Sequence, residues 1–343
     1  YMRDRDFKEL IFQPNRRALV HFALDSETVE MCTWLKGSAS FFMPFNKGNG
    51  MAGGGNPANP NGYRTEYLYS ETLAPDSLLD IIQRFVRVEY KEDSKRRKVM
   101  NKVIFPRYHQ LDVVRKLTAD AKINGSGHNY LIQHSAGSGK SNSIAWLAHN
   151  LQSLHDVGNH PVFDSVIVLT DRKNLDSQLS ANVDSTSNVI GVVKRIEEKD
   201  GSDGLKAALN SGAQIITSTI QKFPYICRET EVAGKKFAVI IDEAHSSQTG
   251  RAHAKMKYAL TDFNIPDPDD PTAEDEIVKE ILAQGTLPNL SIFAFTATPK
   301  ASTLEGFGTK DASGNPTPFH LYSMKQAIEE GFILDVLDNY TVY

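Results

Sequence analysis

Five short apolar runs constrain most of what this chain can fold into. Tyr130–Gln133, Val166–Thr170, Gln214–Ser218, Phe237–Ile241 and Ile292–Thr296 are rich in β-branched residues, and each is followed by a segment with helical spacing. A strand with one wet face alternates apolar and polar residues. These runs do not alternate, so they predict strands covered on both faces. Strand–helix repetition of this kind predicts an α/β fold built on a parallel sheet with helices on both sides. Ligands of such sheets bind at the carboxyl ends of the strands, which is where the polar motifs of this chain fall.

The first motif follows Tyr130–Gln133. Residues 134–141 read HSAGSGKS, and a helix begins near Asn142. The general phosphate-loop pattern is G-x-x-x-x-G-K-[ST]; Gly139, Lys140 and Ser141 match its end, while His134 stands where its first glycine would be. Gly137 and Gly139 allow a backbone to approach phosphate oxygens closely, and the helix N-terminus adds positive potential. Ser135, Ala136, Gly137, Ser138 and Gly139 are therefore the candidate cradle for ATP. Lys140 would reach the β- and γ-phosphates, and the Ser141 hydroxyl would hold Mg2+. His134 reads as the end of the strand, and an ordinary turn before a helix is the competing reading.

The second motif, FAVIIDEAH at Phe237–His245, ends an apolar strand in two adjacent acids. Asp242 would hold Mg2+, and Glu243 would orient and polarise the attacking water. An N-cap aspartate followed by a helix-starting glutamate fits the same letters. The GKS loop upstream favours the nucleotide reading.

AGSGKS, DEAH and FTATP (Phe295–Pro299), in that order, resemble motifs I, II and III of superfamily 2 helicases and translocases. RYHQ (Arg107–Gln110) resembles the adenine-reading glutamine element. A glutamine amide can pair with both N6 and N7 of adenine, although a bare glutamine on a surface helix is an equal reading. The resemblance gives Arg107 and Gln110 to ATP binding, and catalytic roles to Lys140 and Glu243. LTDRKNLDSQL (Leu169–Leu179) and ITSTIQKF (Ile216–Phe223) resemble motifs Ia and Ib, which in that superfamily contact phosphates of the tracked strand. That implies DNA-binding roles for Thr170, Arg172, Thr217 and Thr219, with helix capping by Asp171 and Ser218 as a coexisting alternative. His245, Gln248, Thr296 and Thr298 acquire a coupling role between nucleotide and DNA; locally, capping of the following turn is the alternative reading of the two threonines.

A narrower resemblance is to the R (restriction and translocation) subunit of type I restriction enzymes. RALVHFALD, the FNKGN…GNPANPNG loop, LTDRKNLDSQL, DEAHSSQTG and the closing LYSMKQAIEEGFILDVLDNYTVY carry it across nearly the whole chain. It implies a RecA-like parallel sheet preceded by the β-rich tail of a nuclease-type α/β domain. Residues 1–90 would be that tail, 91–103 a basic linker, 104–325 the first RecA-like motor domain, and 326–343 a linker toward a second motor domain. The nuclease residues are then expected before Tyr1, where the chain opens without a methionine, and the second motor domain after Tyr343. Implied partners are duplex DNA and the methyltransferase and specificity subunits; implied cofactors are ATP and Mg2+. Two other readings stay open, a DEAH-type RNA or DNA helicase and a non-catalytic ATP-binding switch or scaffold.

In the N-terminal region, Arg17–Leu24 and Thr28–Leu35 are β-rich and joined by Asp25-Ser26-Glu27, which predicts a hairpin. A third run, Ser40–Phe45, leads into the glycine- and proline-rich loop NKGNGMAGGGNPANPNG, expected to be mobile or pinned by a partner. From Pro75 a helix is predicted with Leu78, Leu79, Ile82 and Phe85 on one face. The basic stretch Lys91–Lys102 reads as a solvated connector rather than a DNA contact. Asp76 with Glu89 and Lys91 fits a loose nuclease formula and is set aside, because the residues between have helical period. The acidic insertion Ile265–Glu280 reads as a solvated loop, with docking of a partner subunit as the alternative.

A net charge of −4 gives no global nucleic-acid signature, so any such contact must be local. Two distant cysteines, Cys32 and Cys227, form no disulfide or zinc framework and suit a reducing cytoplasm. No apolar run approaches the ~20 residues needed to span a bilayer, so no membrane role is expected.

Overall fold

The computed structural model describes residues 6–14, 17–50, 52–170, 182–183, 192–196, 200–219, 234–242 and 287–335. They fall into two compact units. One comprises Tyr1–Lys116, Ser135–Asn150 and Tyr322–Tyr343; the other comprises Leu117–His134 and Leu151–Leu321. Glu243, His245, Gln248, Arg172, Asp171, Cys227 and the acidic insertion lie outside the described residues.

In the first unit the predicted N-terminal hairpin is present in a shorter form. β1 (His21–Leu24) pairs antiparallel with β2 (Val29–Cys32), and β3 (Met43–Pro44), inside the third β-rich run, adds to the other edge of β2. Asp25 builds the turn by accepting the N–H groups of Glu27 (2.7 Å) and Thr28 (2.8 Å) on Oδ1. The glycine-rich loop is held by hydrogen bonds from its own chain. Asn56, buried, accepts from the Lys47 N–H (2.9 Å) and donates to Asn46 Oδ1 (2.8 Å) and the Glu27 carbonyl (2.9 Å).

α1 (Pro75–Arg84) starts on a proline, whose missing N–H costs nothing in the first turn. Its buried stripe is Ile81 with the C-cap Phe85; Leu79 and Ile82, expected on that face, are exposed. Asp76 sits in the first turn of this helix, while Glu89 and Lys91 lie on a strand, in keeping with setting the nuclease formula aside.

Residues 91–103 are not a linker. They complete an antiparallel hairpin of β4 (Arg87–Glu92) and β5 (Lys98–Ile104), with an irregularity at Glu89/Tyr90. Asp93 makes its turn, accepting the N–H groups of Lys95 (2.8 Å) and Arg97 (2.9 Å), while Arg96 takes a φ of 57°. A two-stranded ribbon buries little apolar surface, so its composition is that of a connector and hides the pairing.

α2 (Tyr108–Asn124) follows this hairpin, and α3 (Lys140–Gln152) follows the glycine turn. α3 is anchored to the N-terminal region through Trp146, which is fully buried. Its indole N–H donates to the Phe85 carbonyl at 3.0 Å, and its ring lies 5.7 Å from that of Phe85. Arg87 donates to Asn142 Oδ1 at 2.7 Å and Arg84 to Asn150 Oδ1 at 3.1 Å.

The second unit is built on a sheet of β6 (Asn129–His134), β7 (Ser165–Thr170), β8 (Val193–Arg195), β9 (Ile215–Thr219), β10 (Phe237–Asp242), β11 (Leu290–Thr296) and β14 (His320–Tyr322). Their order is β14-β6-β11-β10-β7-β9-β8. The six strands from β6 to β8 run parallel. Every residue of β7, β10 and β11 is buried, which accounts for the apolar runs Val166–Leu169, Phe237–Ile241 and Ile292–Phe295 within them. All five predicted runs are strands; the short edges β8 and β14 carry no such run. α4 (Gly201–Asn210) and α5 (Ala301–Phe307) cover one face, with Leu205, Leu209 and Phe307 set against Ile167, Val239, Ile241 and Ile292. β12 (Thr309–Lys310) and β13 (Pro316–Thr317) form a small antiparallel ribbon. Among the described residues, no helix is long and apolar enough to cross a membrane.

Candidate functional site

Ser135–Gly139 turn the chain from β6 into α3. Both glycines are left-handed, with φ of +72° at Gly137 and +76° at Gly139. A Cβ at 139 would lie 2.5 Å from Gln110 Nε2 and 2.8 Å from Arg107 Nη2, so conformation and space both demand glycine there. Ser138 is buried, Ala136, Gly137 and Ser141 are exposed, and Gly139 and Lys140 are half-buried. Lys140 opens α3 and Ser141 lies in its first turn.

The side chains that contact this loop come from RYHQ. Arg107 Nη2 donates to the Gly137 carbonyl at 2.9 Å. His109 Nε2 lies 2.9 Å from the Ser138 carbonyl; a carbonyl only accepts, so this nitrogen carries the proton. Gln110 Nε2 donates to the carbonyls of Ser138 and Gly139, both at 3.1 Å, and Gln110 Oε1 accepts the Arg107 N–H at 2.9 Å. Both ends of the amide expected to read adenine are thus turned to backbone. His109 was not among the residues singled out from sequence, although it lies within the same tetrapeptide.

The stretch from residue 326, expected to leave as a linker, instead meets the loop through Phe332 and Ile333. α6 (Met324–Glu329) leads to Phe332, whose ring lies 4.1 Å from the Arg107 guanidinium carbon. Ile333 Cγ2 lies 3.3 Å from where a Cβ of residue 137 would stand. Tyr322 stacks on His109 at 3.8 Å between ring centroids and donates to Glu330 at 2.7 Å. Burial pushes the Glu330 carboxyl above the usual range, opposed by hydrogen bonds from Gln326 and Tyr322 and by the nearby Arg107 charge. Burial also pulls Arg107 below its ordinary value, with Tyr322 and Glu330 acting the other way. No local pattern marks Tyr322 or Phe332, because each meets the loop from far along the chain.

His134 ends β6, as the sequence suggests, and is fully buried. Its Nε2 lies 2.8 Å from His320 Nδ1, and its ring meets Phe295 edge-on at 6.1 Å. The phosphate-loop pattern lacks its first glycine here because that position belongs to the sheet core. Restoring the glycine by His134→Gly is expected to destabilise the chain by about 2–4 kcal/mol, from the cavity and the freed backbone. Urea titration followed by circular dichroism reads this; an unchanged midpoint would show that the histidine carries no packing role.

On the sheet, the carboxyl ends form one rim on which His134, Thr296, Asp242, Thr170 and Thr219 follow one another from β6 to β9. Asp242 stands level with Thr170 and Phe295, Thr296 with Gln133, and Thr170 with Thr219. Asp242 and Thr296 are buried, Thr219 is half-buried and Thr298 is exposed. Thr170 and Thr217 are both 2% exposed, so in this conformation their side chains are closed to a DNA backbone. Ser218, weighed as a cap, is buried as well. Among the described residues, no cluster of acids, histidines and cysteines forms a ready-made metal centre.

Residues 109–265 match the SWI2/SNF2 ATPase family. The chain is 28% identical, over 276 residues, to the endonuclease subunit of the type I restriction enzyme HindI from Haemophilus influenzae; the match covers 79% of this chain and 24% of that protein. It is 26% identical over 225 residues to a type I restriction enzyme endonuclease subunit of Staphylococcus aureus, covering 61% of this chain and 19% of the relative. The chain therefore spans about a quarter or less of the length of these curated relatives. Among solved structures it is similar to a fragment described as an HsdR subunit of a type I restriction enzyme from Vibrio vulnificus. That likeness has a TM-score of 0.38 at 16% identity and covers 91% of this chain and 43% of the other.

Proposed function

We propose, for a chain related to the endonuclease subunits of type I restriction enzymes, that it is the ATP-binding segment of such a subunit. The whole protein would translocate duplex DNA at the expense of ATP and cut it. The observation that best supports this is the loop at residues 135–139, whose left-handed glycines, Gly137 and Gly139, precede a helix carrying Lys140 and Ser141.

The residues present fit Mg–ATP. Two left-handed glycines leave the backbone bare for phosphate oxygens, and the Ser141 hydroxyl beside them is a hard oxygen donor of the kind Mg2+ prefers; the carboxylate this reading assigns to the metal is that of Asp242. Bound Mg2+ supplies neutralisation of charge on the β- and γ-phosphate oxygens. In this reading Lys140 holds the β- and γ-phosphates, and Glu243 orients the attacking water and draws on its proton. His245, Gln248, Thr296 and Thr298 relay the state of the nucleotide to the strand-contacting positions Thr170, Arg172, Thr217 and Thr219. The burial of Thr170 and Thr217 means that this relay has to open the β7 and β9 ends before they touch DNA. A second motor lobe contributes the arginine that stabilises the transferring phosphoryl group. Methyltransferase and specificity subunits complete a cytoplasmic complex.

Two measurements test this. The isolated chain should bind Mg–ATP weakly and turn it over about 10³-fold or more slowly than the full-length protein, for want of that arginine. Brisk DNA-stimulated hydrolysis by the isolated chain would overturn the two-lobe mechanism. In the full-length protein, Glu243→Gln should abolish ATP turnover; unchanged turnover would leave a nucleotide-binding switch, and stimulation by RNA over duplex DNA would point to an RNA helicase.

A further inference from the structure

We propose that the RYHQ face at the start of α2 positions the loop rather than reads the nucleotide base: Arg107, His109 and Gln110 draw the loop carbonyls to one side, so that the opposed N–H groups face a polyphosphate. The inference deepens the nucleotide-binding function proposed above and rests on it.

Three consecutive carbonyls, of Gly137, Ser138 and Gly139, are held by these three side chains at 2.9–3.1 Å. The peptide bonds are trans, and in a planar trans peptide the C=O and the N–H of the next residue point in opposite directions. Fixing the Ser138 carbonyl on the α2 side therefore aims the Gly139 N–H away from α2; the Gly139 carbonyl, which Gln110 shares with the Asn142 N–H of the first turn of α3 (3.0 Å), sets the Lys140 N–H opposite to it in the same way. The Ser138 N–H, opposite the Gly137 carbonyl, is instead closed onto the Ser135 carbonyl at 3.3 Å. Two adjacent N–H groups at the mouth of a helix form the concavity that binds anions.

Base reading by Gln110 requires a free donor and a free acceptor on its amide. Its Nε2 already serves two carbonyls and its Oε1 an N–H, and the residue is 2% exposed. His109 is locked by its stack on Tyr322, and Arg107 by Phe332. The three donors are thus set before any ligand arrives.

A positioning role and a base-reading role separate by ligand. Binding of Mg–ATP, Mg–GTP and inorganic tripolyphosphate is measured by calorimetry on the full chain and on Gln110→Met and His109→Phe, which keep volume and ring stacking but remove the donors. Each variant should lose affinity for all three ligands by a common factor of about 10, with the ATP-to-GTP ratio unchanged. His109→Gln, which returns an N–H donor near the Nε2 position, should recover most of that loss, whereas a generally damaged fold would not. Circular dichroism melts of the unliganded variants identify any that fail to fold, for which Gln110→Leu and His109→Leu, uncharged and equally without donors, take their place. Should Gln110→Met weaken ATP alone and leave tripolyphosphate unchanged, the amide reads the base and the positioning role is wrong. If the unaltered chain binds none of the three, the phosphate loop itself is refuted, and the positioning role falls with it.

Discussion

An alanine at position 139 is expected to cost the chain about 2–4 kcal/mol and to weaken polyphosphate binding about 100-fold. The φ of +76° there is one that an L side chain adopts only at about 1–2 kcal/mol. The new methyl would also stand 2.5 Å from Gln110 Nε2 and 2.8 Å from Arg107 Nη2, so both side chains have to retreat. Their retreat frees the Gly137 carbonyl, at about 0.5–1.5 kcal/mol for the bond lost, while the Ser138 carbonyl keeps His109 and the Gly139 carbonyl keeps the Asn142 N–H. The same substitution at Gly137 meets a comparable φ of +72°, but its nearest neighbour is a side-chain methyl of Ile333 at 3.3 Å, which can move. Gly137→Ala should therefore cost about half as much. Thermal melts with parallel tripolyphosphate titrations distinguish the two sites. Equal effects at 137 and 139 would mean that crowding by Gln110 and Arg107 does not shape the loop.

Trp146→Ala should be the most destabilising change in the first unit, at about 4–6 kcal/mol. Truncating a buried tryptophan typically costs about 3–5 kcal/mol, and leaving the Phe85 carbonyl without its indole donor adds about 1 kcal/mol or more. Domains are commonly stable by only about 5–15 kcal/mol, so the variant should sit near the edge of unfolding. Trp146→Phe keeps a ring against Phe85 and loses the N–H, and should cost about 1–2 kcal/mol. Urea denaturation followed by circular dichroism measures both. A midpoint shift equivalent to under about 1 kcal/mol for the alanine variant would show that α3 is not anchored through this side chain. Because α3 carries Lys140 and Ser141, a Trp146→Ala chain that still folds should bind Mg–ATP more weakly than Trp146→Phe.

The sheet and the loop are legible in the sequence itself, and the reason is local. A strand covered on both faces is apolar along nearly its whole length, so the runs Phe237–Ile241 and Ile292–Thr296 announce themselves without reference to distant residues. A turn that presents bare backbone ahead of a helix needs glycine at positive φ, and GSGKS supplies it. The hairpin at 87–104 was misread for the converse reason: an exposed ribbon buries too little to imprint a pattern, and its charges look like those of a connector.

The tasks of individual polar side chains depended on folding. Gln110 reaches the carbonyl of a residue 28 positions away, His134 meets His320 across 186, and Phe332 arrives beside Arg107 from the far end of the chain. A buried hydrogen-bonding group has to find a partner, but which one it finds is set by where the backbone brings the elements together. Apolar periodicity, being a property of neighbouring residues, specified where strands and the phosphate loop would form. The pairing of polar groups, being a property of distance in space, decided that RYHQ shapes the loop and that His134 belongs to the core.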